Sequence, residues 1–278
     1  MAFIKMHGAG NDYIYIDTIK HGYDVDFNKL AKTISSRHFS VGGDGLVLIM
    51  PSDNADYRMK MFNADGSEAE MCGNAIRCVG KYLFDHGYLK KETFTIETHV
   101  DNKDLAIVEK TPSGEAKLLS VDMGKPILNG RDIPISVDRD PVIGVEVTGY
   151  KGTAVSMGNP HFVIFVDKIT DSQVLIDGPE IEKHPIFPNK TNVEFIEVLD
   201  RRTLKMRVWE RGTGETLACG TGACASTVAA VLNDLGERSV NIQLRGGALQ
   251  IEWKKDTGRV FLTGPAVEVF HGIYDFRM

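Results

Sequence analysis

Tyr57-Arg-Met-Lys-Met-Phe62 and Leu204-Lys-Met-Arg-Val-Trp209 are two versions of one extended run, and the residues after each are alike. The first leads into Asn63 and the second into Glu210, and in both a Cys-Gly pair comes nine residues later, Cys72-Gly73 and Cys219-Gly220. Met59 and Met206 fall in register, as do Glu68 and Glu215. Working outward, Gly10-Asn11-Asp-Tyr-Ile-Tyr-Ile16 is matched by Gly158-Asn159-Pro-His-Phe-Val-Ile164. Asp26 to Phe39 predicts a helix leading into a glycine turn and the strand Leu46-Val-Leu-Ile49. Its counterpart runs from Ile176 through Phe187 to Asn192-Val-Glu-Phe-Ile196. A strand is expected after each cysteine helix, Phe94-Thr-Ile-Glu97 and Val240-Asn-Ile-Gln243. A repeat this long exceeds a solenoid unit, so the chain reads as a tandem duplication of one domain.

At 278 residues the chain has the length of roughly two domains. The strand-like tail Gly264-Pro-Ala-Val-Glu-Val-Phe270 is placed to return to the first half. The expected division is therefore residues 1–117 with 263–278, carrying Cys72, against residues 118–262, carrying Cys219. Thr111-Pro-Ser-Gly114 and Gly124-Lys-Pro126 are the best turn signals between them. A formal charge of -6, with no basic patch interleaved with aromatics, argues against a nucleic-acid partner. No run is apolar and long enough to span a membrane, and the N-terminus enters a strand at once without a leader pattern. The expectation is a cytoplasmic protein whose four cysteines stay reduced.

Strands dominate, but the helices after the two cysteines decide the architecture. Residues 223–232 read Ala-Cys-Ala-Ser-Thr-Val-Ala-Ala-Val-Leu, small or apolar on nearly every side. A helix without a polar face is surrounded rather than laid on a surface. The first copy, Asn74 to His86, is more mixed but carries Ala75, Ile76, Val79, Tyr82 and Leu83. Gly87 and Gly236 stand where C-terminal caps belong. The predicted fold is mixed α/β (α+β): two pseudo-symmetric domains, each a strongly curved sheet wrapped around a central helix.

This arrangement puts each thiol at a helix N-terminus, where unpaired N–H groups carry partial positive charge. Such an end binds a carboxylate, and it favours thiolate over thiol. Two thiols delivered from related halves suit chemistry in which one removes a proton and its twin returns one to the opposite face. Cys78 and Cys224, inside the helices, read instead as small buried residues. On local pattern alone, Asn11 and Asn159 also fit turns, Glu210-Arg211 a surface pair and His161 a core histidine. A redox dithiol protein lacks its usual Cys-x-x-Cys here, and Cys72-x5-Cys78 with Cys219-x4-Cys224 does not give zinc knuckles.

The segments His7-Gly-Ala-Gly-Asn-Asp12, Asn63-Ala-Asp-Gly-Ser67, Cys72-Gly-Asn-Ala-Ile-Arg77, Met157-Gly-Asn-Pro-His161, Glu210-Arg-Gly212 and Ala218-Cys-Gly-Thr-Gly-Ala-Cys224 closely resemble the diaminopimelate epimerase family, in its order and spacing. The resemblance implies cofactor-independent interconversion of LL- and meso-2,6-diaminopimelate, for lysine and peptidoglycan precursors, in a cleft between the two domains. It implies that Cys72 and Cys219 are the acid/base pair, without pyridoxal phosphate or metal. It gives substrate contacts to Asn11, Asn63, Asn159, Asn192, Glu210 and Arg211, and helix-end donors to Gly73, Asn74, Gly220 and Thr221. His161 and Glu210 are expected to poise the thiols. The family's habit implies a homodimer whose only other partner is the small amino-acid substrate.

One position varies within the family, and glycine there is familiar. Some members of the family carry Gln directly after the Asp of the glycine turn, whereas here the run is Val41-Gly-Gly-Asp-Gly45. The alternative within the same chemistry is a two-thiol racemase resembling proline or hydroxyproline racemase. Asn63, Asn159, Asn192 and Arg211 favour a long substrate charged at both ends, because a small cyclic one leaves polar groups unpaired.

Overall fold

The computed structural model describes residues 1–20, 22–69 and 71–276; His21, to which the sequence assigns no role, Glu70 and the last two residues of the first half's tail lie outside. The chain divides into two compact units, residues 1–121 with 264–278, and residues 122–263. In the first unit the order is β1 (Ala2–Gly8), β2 (Asn11–Asp17), α1 (Phe27–Ile34), β3 (Gly45–Met50), β4 (Tyr57–Asn63), β5 (Glu68–Ala69), α2 (Gly73–Asp85), β6 (Thr93–Glu97), β7 (Asn102–Lys110) and β8 (Ala116–Gly124). The second continues with β9 (Val145–Val147), β10 (Tyr150–Ser156), β11 (Pro160–Val166), α3 (Gly178–Glu182), β12 (Asn192–Asp200), β13 (Thr203–Glu210), β14 (Gly214–Glu215), α4 (Gly220–Leu232), β15 (Ser239–Leu244), β16 (Gly247–Trp253) and β17 (Val260–Pro265). Strand β18 (Val267–Ile273) then pairs with β1.

Both units are wired alike. In the first, β1–β2 and β3–β4 are antiparallel while β2–β3 and β4–β6 are parallel. In the second, β10–β11 and β12–β13 are antiparallel while β11–β12 and β13–β15 are parallel. Each parallel pair needs a crossover, and α1, α2, α3 and α4 supply the four. Two antiparallel strands come next in each unit, β6–β7–β8 and β15–β16–β17. The outer edges match too, with β18 on β1 and β9 on β10.

The helices sort the side chains into two layers. Leu30, Ala31 and Ile34 of α1 join Ile14, Ile16, Leu46 and Leu48 in one core cluster. Tyr15, offset by one along β2, points to the other side and donates its hydroxyl to the Ala75 carbonyl of α2. With both faces covered, Tyr13 to Ile16 are all buried. In the second unit α4 touches β10, β11, β12, β15 and β16. A helix that meets five strands needs its sheet to curl around it, and Ala223, Cys224, Ala225, Val228, Ala229 and Ala230 are fully buried there. Among the described residues no helix is long and apolar enough to cross a membrane.

Two local expectations are corrected. Helix α2 does end at Gly87, whose φ of +75° lets its N–H return to the Phe84 carbonyl at 3.1 Å. Helix α4 ends otherwise: the left-handed residue is Asp234 (φ +56°), a role that a short polar side chain tolerates, and Gly236 packs close against Ala230. Thr111–Gly114 is the hairpin turn joining β7 to β8 inside the first unit, with Gly114 N–H bonded to the Thr111 carbonyl at 2.9 Å. The division falls instead within β8, a continuous strand that leaves no compositional mark.

Candidate active site

Each thiol stands at the N-cap of a 13-residue helix. Cys72 precedes α2 with φ -133° and ψ 120°, and Cys219 precedes α4 with φ -121° and ψ 111°. Extended backbone continuing at once into Gly73 or Gly220 aims the Cβ out of the first turn, where the unpaired N–H groups lie. The Cys72 side chain does not cap its own helix. At Cys219 the Gly222 N–H hydrogen-bonds the sulfur, and the other N–H groups of such a first turn suit an anion.

In the first unit Cys72, Asn11 and Asn74 come together. The Cys72 Sγ lies 3.1 Å from Asn11 Oδ1, and Asn74 Nδ2 is 3.5 Å from the same oxygen. Asn11 is held in turn by Asp44, which accepts from its Nδ2 at 2.6 Å and from the Asp12 N–H at 3.0 Å. Arg37 donates to both Asp12 and Asp44. Burial tends to raise the Asp12 carboxyl, but hydrogen bonds and charges from Arg37 and Lys5 outweigh it and hold it below its ordinary value. Asn63 belongs to a different network: it is exposed at the end of β4 and donates to the Ser67 hydroxyl at 3.0 Å. At Gly45, directly after Asp44, a Cβ would lie 2.1 Å from the Phe62 carbonyl oxygen. A larger residue there requires the two strands to part.

In the second unit a longer network surrounds Cys219. Its Sγ is 3.5 Å from Thr221 Oγ1, and Asn159 Nδ2 lies 3.3 Å from the same hydroxyl. His161, fully buried, places Nε2 3.0 Å from Asn159 Oδ1 and Nδ1 2.7 Å from Glu194 Oε1. Glu210 hydrogen-bonds Thr216 and the Cys219 thiol. Asn192 donates to the Pro160 carbonyl at 2.9 Å and accepts the Arg211 N–H at 2.8 Å. The Arg211 guanidinium, on an exposed residue, donates to the Asn189 carbonyl at 3.2 Å.

The Cys219 thiol is shifted in the direction opposite to the one the helix end alone implies. Burial pushes its thiol well above the ordinary range, and the negative charges of Glu210 and Glu194 push it further. Burial likewise raises the Glu210 carboxyl, against hydrogen bonds from Thr216 and Cys219 that lower it. Helix-end N–H groups act within about one turn, whereas desolvation penalises the charged thiolate directly. Cys78 is buried as well, and its thiol rises to about 11.

Two residues beyond those expected from sequence, Asp44 and Glu194, join these networks. Asp44 sits in a glycine turn where an acidic residue reads as turn chemistry. Glu194 shares a strand face with Asn192, two residues away, and that alternation was the available signal.

Two repeats with one topology, each leading a strand and loop to a helix-borne thiol, define a duplicated two-domain α/β fold. Solved structures agree on the fold. A PhzF-family phenazine biosynthesis protein of Bacillus anthracis superposes with a TM-score of 0.69 at 15% identity, covering 98% of both chains. A probable proline racemase of Agrobacterium radiobacter K84 gives 0.68 at 13% identity, covering 99% of this chain and 93% of that one. Sequence is more specific. Residues 3–128 and 153–269 match the profile of the diaminopimelate epimerase family. The chain is 53% identical over 281 residues to the diaminopimelate epimerase of Acetivibrio thermocellus, covering 100% of this chain and 99% of that protein. Identity to the Methanococcus maripaludis S2 enzyme of the same name is 50% over 279 residues, covering 99% and 100%. The chain belongs to the diaminopimelate epimerase family.

Proposed function

We propose that this chain epimerises LL-2,6-diaminopimelate to the meso isomer without a cofactor, using Cys72 and Cys219 as the two acid/base groups. The observation that carries this reading is the pair of thiols at equivalent N-caps in two repeats of a family member. The thiolate of one cysteine takes the α-proton, and the thiol of the other gives its proton to the opposite face of the α-carbon. Atoms balance: one S–H forms, one S–H breaks, and the two cysteines exchange states. Burial and the two nearby carboxylates raise the Cys219 thiol, which suits it to giving a proton.

The α-proton of an amino acid is weakly acidic without an electron sink. Helix-end N–H groups of Gly73, Asn74, Gly220 and Thr221 aimed at the reacting carboxylate would stabilise the charge that develops there. Asn11, Asn63, Asn159, Asn192 and Glu210 supply polar contacts for the rest of the substrate. Arg211 suits the distal carboxylate, because its planar fork binds one through two hydrogen bonds. The same reading places the enzyme in the cytoplasm as a homodimer serving lysine and peptidoglycan precursor synthesis.

The test is proton NMR of LL-diaminopimelate with the reduced protein in D2O, beside Cys72→Ala and Cys219→Ala. Wild type should deuterate the α-position and generate the meso isomer, and both variants should lose epimerisation. An α-proton left in place by wild type rejects the substrate. Proline run in parallel should stay unchanged, and its racemisation would move the assignment to the cyclic amino acids.

A further inference from the structure

Glu194 is the residue in the second unit that packing alone does not explain. It lies on β12 with 0% of its surface exposed, between apolar neighbours Val193 and Phe195. Its Oε1 meets His161 Nδ1 at 2.7 Å, while Oε2 is buried without a hydrogen-bond partner. A carboxylate with half its accepting capacity unmet is costly to bury, so an apolar or amide side chain of similar size would serve packing better. The neighbouring helix is shaped around it as well: a Cβ on Gly222 would lie 2.7 Å from Glu194 Oε1.

From this carboxylate an unbroken chain of contacts reaches the thiol. Glu194 Oε1 to His161 Nδ1 is 2.7 Å, and His161 Nε2 to Asn159 Oδ1 is 3.0 Å. Asn159 Nδ2 to Thr221 Oγ1 is 3.3 Å, and Thr221 Oγ1 to Cys219 Sγ is 3.5 Å. The directions come from the donor inventory. Both ring nitrogens face oxygen: Nε2–H donates to the Asn159 amide oxygen, which can only accept, and Nδ1 faces the carboxylate. Asn159 is then turned with its amide N–H toward Thr221. The Thr221 oxygen, already accepting, has its own hydrogen to present to the sulfur.

We propose that Glu194 is a positioning residue of the epimerisation: it fixes the His161 ring and, through Asn159 and Thr221, the hydrogen bond that Cys219 receives as it gives up its proton. The inference rests on the reading of Cys219 as an acid/base group. The titratable groups facing this chain are His161 from β11, Glu194 from β12, Glu210 from β13 and Cys219 at the start of α4. Glu194 acts on Cys219 in two ways, by orienting the relay and by adding negative charge beside the thiol.

Glu194→Gln keeps the volume and removes the charge. Its expected effects are a roughly 10- to 100-fold loss of kcat from a misdirected relay with KM nearly unchanged, and movement of the Cys219 limb of the pH–rate profile to lower pH. Ring nitrogen shifts of His161 in labelled protein should change with it, because Nδ1 then accepts from the glutamine amide. Glu194→Asp, which keeps the charge, should return the limb toward its wild-type position. Circular dichroism and the unfolding midpoint identify a variant that has merely failed to fold, and Glu194→Asp then carries the test through its own His161 shifts and kcat. An unchanged pH limb and kcat in folded Glu194→Gln, with Cys219→Ala inactive, would overturn the inference while leaving the two-thiol reading intact. Activity surviving in Cys219→Ala would instead remove the reading on which it rests.

Discussion

Four cysteines of one chain are set apart by a few ångströms of cover. Cys72 is half-buried, while Cys78, Cys219 and Cys224 are 0%, 5% and 0% exposed. Thiolate is the attacking form, so reactivity needs both access and ionisation. Cys78, raised to about 11 by burial, and Cys219, raised further by burial and two carboxylates, lack both near neutral pH. Brief iodoacetamide treatment of the ligand-free protein at about pH 7.5 should therefore label Cys72 well ahead of the other three. Peptide mass mapping against time reads this directly, and comparable early labelling of Cys219 would contradict the burial assigned to it. The two N-cap cysteines stood out as a pair in the sequence because duplication repeated their surroundings. Glu194 did not, since a single glutamate in a strand reads as a solvent-facing residue until both faces of that strand are known to be covered.

Helices and strands show where local chemistry was sufficient and where it was not. Helix α1 has a conventional start: the Asp26 carboxylate accepts from the N–H groups of Asn28 at 3.1 Å and Lys29 at 3.2 Å. Losing such a cap costs about 1 kcal/mol. Asp26→Ala should lower urea stability by about that amount, Asp26→Ser should recover most of it, and epimerase activity should be untouched. A midpoint that does not move with Asp26→Ala would show that packing of Leu30, Ala31 and Ile34 holds the helix without its cap. The end of α4 was less legible, because Asp234 takes a backbone conformation for which sequence reasoning assigns glycine. The all-round apolar run of 223–232 was the most legible element, because five contacting strands leave no side free for polar residues. The unit boundary, 121/122, falls inside β8, where strand pairing rather than composition decides to which unit each residue belongs.

Summed over the whole molecule, the shifted groups bound the pH range of the fold on both sides. At the acid end, burial works against Asp12 and Glu215, but Arg37 and Lys5 in the first unit, and Arg207 and Arg245 in the second, hold these carboxyls below their ordinary values of 3.8 and 4.5. Below those values the unfolded chain binds more protons than the folded one, so this stability is present above them and is lost as pH falls. At the alkaline end the sign is reversed. Burial and hydrogen bonding to Asp17 lift Tyr88 to about 12, and burial lifts Cys78 to about 11, from ordinary values of 10.0 and 9.0. The unfolded chain ionises these groups first, so the stability they contribute is present below the ordinary values and is lost as pH rises past them. Glu210 acts in the opposite sense to the paired carboxylates, because its raised carboxyl favours the fold as pH falls. It is one group against Asp12, Asp56 and Glu215, which are all held low. Urea midpoints should therefore form a plateau through neutral pH, falling below about pH 4.5 and again above about pH 9. Asp12→Asn should flatten the acid limb in proportion to its share. A midpoint that stays level or climbs between about pH 9 and 11 would mean that these phenols and thiols ionise at least as readily in the fold as in the unfolded chain.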